Sequence, residues 1–173
     1  MRTQQSGFTM IEILVTIGIL VVGLLGLAAL QTLTTVAELE AYQRSQAVVL
    51  VRDLADRMTG NKLQLNSYVG NDYGLTYTAC AGKVGSDLDL CEWGNQLNGA
   101  SEVTGGGKNV GTMIGARGCV VKMDAQTYLV TVAWQGLSFG GQPKETCGQG
   151  AFGDDRQRRT VSTVVRIALL AAP

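Results

Sequence analysis

Glu12 is the one charged residue between Arg2 and Glu38, and from Ile13 to Ala37 the chain runs 25 residues without a charge. A carboxylate at the head of such a stretch is chemically conspicuous. In hydrocarbon it costs about 2.5–3.5 kcal/mol on insertion scales, less where it can reach the interface, and ionisable groups at that depth normally have a partner. No basic side chain lies within a turn or two of Glu12. A cut just before Phe8 creates an α-amino group one helical turn away, on the same chain or a neighbouring one, and supplies the missing cation. The second chemistry is that of sulfur. Cys80, Cys91, Cys119 and Cys147 all follow the apolar run, and none forms a C-x-x-C pair. An even count beyond an apolar anchor predicts two disulfides in an oxidising compartment, not a zinc or thioredoxin-like site. Three pairings are open; closure of the shorter loops favours Cys80–Cys91 with Cys119–Cys147. The longer of these two loops contributes about 3–4 kcal/mol in the chain-entropy account.

Other chemistries are excluded by what the chain lacks. It has 173 residues, 14 Lys and Arg against 14 Asp and Glu, and no His. A Ser-His-Asp triad, a Cys-His pair and a His-ligated zinc are therefore impossible. Balanced charge argues against a strongly basic nucleic-acid binder and against an acidic disordered chain, so nucleic acid is not an expected partner. Gly107-Lys108 lacks the rest of a phosphate loop, since Glu102 and Asn109 stand where Gly and Ser or Thr belong. Asp87, Asp89, Asp154 and Asp155 make no recognisable calcium loop and read as solvated carboxylates. Arg156, Arg158 and Arg159, beside two aspartates, read as a solvated turn. Trp93 and Trp134 read as core residues. No catalytic, metal or cofactor site is expected, and the chain does not read as an enzyme.

The elements that position these residues follow from periodicity. A bilayer core takes about 20 apolar residues, so residues 13–35 are long enough to span it. Beyond Ala37 the helical period persists, with Val36, Leu39, Ala47, Leu50, Val51, Leu54 and Met58 on one stripe. Glu40 with Arg44 and Asp53 with Arg57 are spaced as i,i+4 ion pairs, and Gly60-Asn61 is a helix stop. One helix over residues 8–59 is about 78 Å long at the standard rise, natural for a membrane stalk. Residues 60–173 form a globular head. All glycines but Gly7, Gly18, Gly23 and Gly26 lie there, and residues 99–118 read as a loop. A capping-box pattern starts a short helix at Ser86, with Asp89 three residues on. Residues 118–123 and 127–134 predict a hairpin closing over Asp124-Ala125-Gln126. Residues 161–169 predict a third strand, with Val161, Thr163, Val165, Ile167 and Leu169 on one face. The expected fold class is α+β: a long helix, first apolar and then amphipathic, packed on a small antiparallel sheet.

The segment Gly7-Phe8-Thr9-Met10-Ile11-Glu12-Ile13-Leu14-Val15 resembles the processing signal of type IV pilins and pseudopilins: a short leader ending in Gly, then Phe, Thr, a fifth-position Glu and an aliphatic run. The resemblance implies cleavage between Gly7 and Phe8 by a prepilin peptidase, loss of leader residues 1–7, and N-methylation of Phe8. It implies that Glu12 pairs with the terminal amine of an adjacent subunit during assembly. Val21-Val22-Gly23-Leu24-Leu25-Gly26-Leu27-Ala28-Ala29-Leu30-Gln31 is similar to minor pilins of the PilV type, the pilus modification proteins. Gly18, Gly23 and Gly26 are weak points for the helix, although small residues also favour close helix packing in membranes. The implied function is pilus assembly, initiation or modification. The implied partners are major and minor pilin subunits, the peptidase and an inner-membrane assembly platform. The implied location is the bacterial inner membrane in a single pass, head in the periplasm, and the pilus after assembly. A type II secretion pseudopilin and a DNA-uptake pilin are the alternatives.

Overall fold

Thr9 opens the first helix. Its carbonyl accepts the amides of Glu12 at 3.1 Å and Ile13 at 3.3 Å, and its hydroxyl lies 3.4 Å from the Glu12 amide, an N-cap arrangement. Helix α1 therefore runs Met10–Gly60, two residues later than the expected start at Phe8. The computed structural model describes residues 7–99, 105 and 113–167. The chain divides into two compact units, Met1–Leu39 and Glu40–Pro173.

In the first unit, every side chain from Phe8 to Leu33 is exposed. Its best 18-residue window has a mean hydropathy of 2.8 with nothing buried, long and apolar enough to cross a membrane. Residues 1–6, part of the expected leader, lie outside the described residues.

The second unit is built from the last turns of α1, a 3-10 helix (Lys62–Tyr68), β1 (Gly70–Tyr73), α2 (Ser86–Leu97), β2 (Ile114–Lys122), β3 (Thr127–Gln135) and β4 (Arg158–Arg166). The strands form one antiparallel sheet in the order β1-β2-β3-β4. Val120 faces Val130, and Lys122 faces Tyr128 beside the turn. There the Asp124 carboxylate accepts the Gln126 amide at 2.8 Å.

Several expectations shift. Strand β1 has four residues with no apolar alternation, which is why periodicity missed it. Strand β2 begins at Ile114, inside the segment expected to be loop; an irregularity between Ile114 and Arg117 hides its alternation. Residues 100–104 and 106–112, including Gly107 and Lys108, lie outside the described residues. Strand β4 starts three residues early because β3 extends to Gln135 and offers pairing partners to Arg158 and Arg159. The expected Leu169 lies outside the described residues. The buried face of α1 is Gln43, Ala47, Val51, Leu54 and Met58, while Leu39 is 48% exposed; the packed stripe starts later than its period suggested.

Both faces of the sheet are covered. On one, Tyr128, Val130, Val132, Trp134 and Val165 pack with Ala47, Val51, Leu54 and Met58 of α1 and with Trp93 and Leu97 of α2. Trp93 is fully buried and donates its indole N–H to the Leu50 carbonyl at 2.8 Å. A side chain on Gly118 would place its Cβ 2.1 Å from the Trp93 ring, so glycine is required where the ring crosses the strand. On the opposite face Cys119, Ala133, Cys147 and Phe152 form a second, smaller cluster. An antiparallel sheet can leave one face wet; here the loop before β4 covers it.

Candidate functional site

Phe8 and Glu12 sit at the start of α1. Phe8 is 81% exposed and precedes the helix, as Gly7 does, in non-helical backbone. Glu12 is the acidic residue of the first helical turn, where a carboxylate complements the helix dipole. The structure thus gives Glu12 a local role that the spacing argument missed: with Thr9 it forms the T-x-x-E pattern that starts helices, here through the Thr9 hydroxyl and the Glu12 amide.

Among the described residues, the charged groups of the head hold its loops in place. Arg57 binds Asp53 at 3.0 Å, as the i,i+4 spacing predicted, and also Glu92 at 2.7 Å and Asp89 at 3.4 Å. Burial opposes the Arg57 charge, but Glu92 and Asp53 outweigh it, and its pKa is raised. The Tyr68 hydroxyl donates to Asp89, so burial and this bond push the phenol up to about 12. Asp89 is therefore not a solvated carboxylate. Nor is it part of a capping box: Gly85, at φ 59°, takes the cap position with no side-chain bond, and the Ser86 hydroxyl donates to Gln64 instead.

The arginine cluster differs from expectation in the same way. Arg158 is 1% exposed; it pairs with Asp155 at 2.9 Å and donates to the carbonyls of Pro143, Glu145 and Cys147. A guanidinium has five donors in a fixed fork, and this one gathers the loop that covers the outer sheet face. Sequence reading treated the run as a solvated turn because charge alone does not reveal burial. Glu40, expected to pair with Arg44, instead accepts the Ser138 amide at 2.9 Å and hydroxyl at 2.6 Å and lies 3.6 Å from Arg159. The Ser138 hydroxyl holds its carboxyl below the usual range.

The cysteines pair as Cys80–Cys91 and Cys119–Cys147. The first ties the segment before α2 to that helix, and the second ties β2 to the covering loop. A groove of about 510 Å³ borders the first, lined by Asp72, Lys83, Asp87 and Asn95 and by Tyr73, Leu75 and Leu90 among others. Among the described residues no three His, Cys, Asp or Glu side chains cluster as metal ligands would.

Two family models match, end to end. The prokaryotic N-terminal methylation motif covers residues 2–28, and a model described as type IV pilin Tt1218 covers residues 29–91. The chain is a type IV pilin with a prepilin N-methylation motif. No curated protein and no solved structure matches it. Pilins are structural subunits, and the α+β architecture described above, a long apolar helix and a four-stranded antiparallel sheet, is consistent with their fold. Their general partners are other pilin subunits and the processing peptidase, and the exposed apolar helix of this pilin suits membrane anchoring.

Proposed function

We propose that this pilin is a minor, PilV-like subunit that takes part in assembly, initiation or modification of a type IV pilus. The carrying observation is the pairing of an uncharged, wholly exposed helix surface with a single carboxylate, Glu12, at its start. Residues 1–7 are a leader removed by the peptidase, and Gly7 and Phe8 lie exposed ahead of the helix, where the cut is made. The new Phe8 amine is then methylated. Residues 13–35 hold the subunit in the inner membrane with the head in the periplasm, where the disulfides form. An assembly platform extracts the subunit, burying the apolar helix against its neighbours while a neighbour's Phe8 amine meets Glu12. In low dielectric such a pair is worth far more than in water, which gives assembly a registration point.

Mass spectrometry of the membrane-bound protein tests the first step: the expected N-terminus is methylated Phe8, and a Gly7 substitution should leave the leader attached. An intact Met1 on the unsubstituted protein overturns the reading. Deleting the gene and scoring surface pili against secreted enzymes separates a pilus subunit from a secretion pseudopilin. Gel-shift binding across a salt series tests a DNA-uptake role.

A further inference from the structure

Residues 136–141, Gly-Leu-Ser-Phe-Gly-Gly, expose Leu137 (40%) and Phe139 (64%) to the outside of the head. The loop is nevertheless held at many points. Gly136 donates to the Gln157 carbonyl at 2.7 Å and Gly140 to that of Arg156 at 2.8 Å. Arg159 donates to the Ser138 carbonyl at 2.8 Å, and Glu40 takes both Ser138 donors. Gly136 and Gly140 lie so close to Arg159 that an added Cβ would sit 3.0 Å from its guanidinium. The Arg156 guanidinium stacks 5.0 Å from the Phe139 ring centre. Its Nε and Nη2 are bound by Asp154, and no described residue takes its Nη1. An aliphatic and an aromatic on one clamped loop, the aromatic stacked by a guanidinium from the turn before β4, match the chemistry of the headgroup–acyl boundary, which takes Phe and Leu into its apolar side and Arg onto phosphate.

Chain reach puts this loop at that boundary. Glu40, its anchor, lies five positions beyond residue 35, the end of the membrane segment. Whatever the arrangement of the two units, these residues are helical and rise about 8 Å. The headgroup layer extends about 5–7 Å beyond the hydrocarbon on each side, and side chains at Glu40 and on the loop bridge the remainder. We infer that the 136–141 loop, with Leu137, Phe139 and Arg156, docks the head on the phospholipid surface from which its own apolar helix emerges. The inference rests on the membrane placement of residues 13–35, and the surface must be released when the subunit leaves the bilayer.

The test uses the full chain in phosphatidylethanolamine–phosphatidylglycerol vesicles. Trp93 and Trp134 are buried (0% and 2% exposed) and give a constant background to three single reporters: Phe139→Trp, Leu63→Trp and Leu24→Trp. Leu63 is 99% exposed and lies beyond the end of α1, which runs about 30 Å past Glu40. Lipids with a nitroxide headgroup should quench Phe139→Trp several-fold more than Leu63→Trp, while brominated acyl chains should quench Leu24→Trp. Equal, weak quenching at positions 139 and 63 with Leu24→Trp quenched overturns the docking surface and leaves the membrane anchor standing. Loss of quenching in Leu24→Trp overturns both. If Phe139→Trp ignores the headgroup label and its emission instead shifts with protein-to-lipid ratio, the loop is a contact between copies and the inference fails.

Discussion

From Phe8 to Leu33 every large apolar side chain is exposed, whereas Val51, Leu54, Met58, Trp93, Val120, Val130 and Val132 are each no more than 2% exposed. The two stretches are both rich in aliphatic residues, yet only the second meets its partners within the chain. Burying one such side chain is worth about 1.5–3 kcal/mol, so the first stretch awaits lipid or neighbouring subunits for a stabilisation that the head already has. The ionic groups divide likewise. Arg57, Arg158 and Glu40 have partners inside the head, while Glu12 has no ion-pair partner among the described residues. The apolar side chains of the head are covered from within the chain; those from Phe8 to Leu33 are not.

Substitutions that respect or cross that division should separate the two. Trp93→Ala removes the largest fully buried side chain and its bond to Leu50, and should cost the head about 3–5 kcal/mol. The readout is urea unfolding of the full chain in detergent, and membrane insertion of the protein should be unchanged. Opening Cys119–Cys147, a loop of 28 residues, should cost about 3.6 kcal/mol, and Cys80–Cys91, spanning 11, about 2.8, in the chain-entropy account. Paired Cys→Ala variants unfolded under identical conditions give the order; a reversed order would show that packing at α2 outweighs loop length.

A smaller effect belongs to Tyr68→Phe, which deletes the hydroxyl donated to Asp89 and should cost about 1 kcal/mol. Its signature is in the pH profile. Because the folded-state pKa of Tyr68 is raised, its contribution is complete below the unfolded value of about 10 and is lost as pH rises through about 12. Unfolding midpoints across that interval should fall less steeply in the variant. The smallest effect on the head is expected from Glu12→Val: unfolding should stay within about 0.5 kcal/mol of the unsubstituted protein, as for surface changes generally, and the protein should remain in the membrane. Surface pili should nonetheless be lost or sharply reduced. Normal piliation by this variant would remove the assembly role from the carboxylate.

Legibility from sequence follows the same boundary. The apolar run could be read directly, because composition and length are local properties. The β2–β3 hairpin was readable from two β-branched runs flanking a short polar turn, and the inward face of β4 from its alternation over residues 161–165. Strand β1 was not, since its four residues are held by pairing with β2 and carry no pattern of their own. Arg158 and Asp89 were misread for a related reason: a charged side chain looks solvated until the chain that buries it is in place.

The linear chain, then, carried the long apolar run and the helix that holds it, to within a few residues at its ends, and the four cysteines beyond it. Helical period and apolar length are set by neighbours a few residues apart. Only the tertiary structure decided which arginine is buried, which carboxylate anchors the 136–141 loop, and why Gly118 must have no side chain. Those outcomes depend on groups tens of residues apart, such as Glu40 and Ser138 or Trp93 and Gly118, meeting at distances that no local pattern encodes.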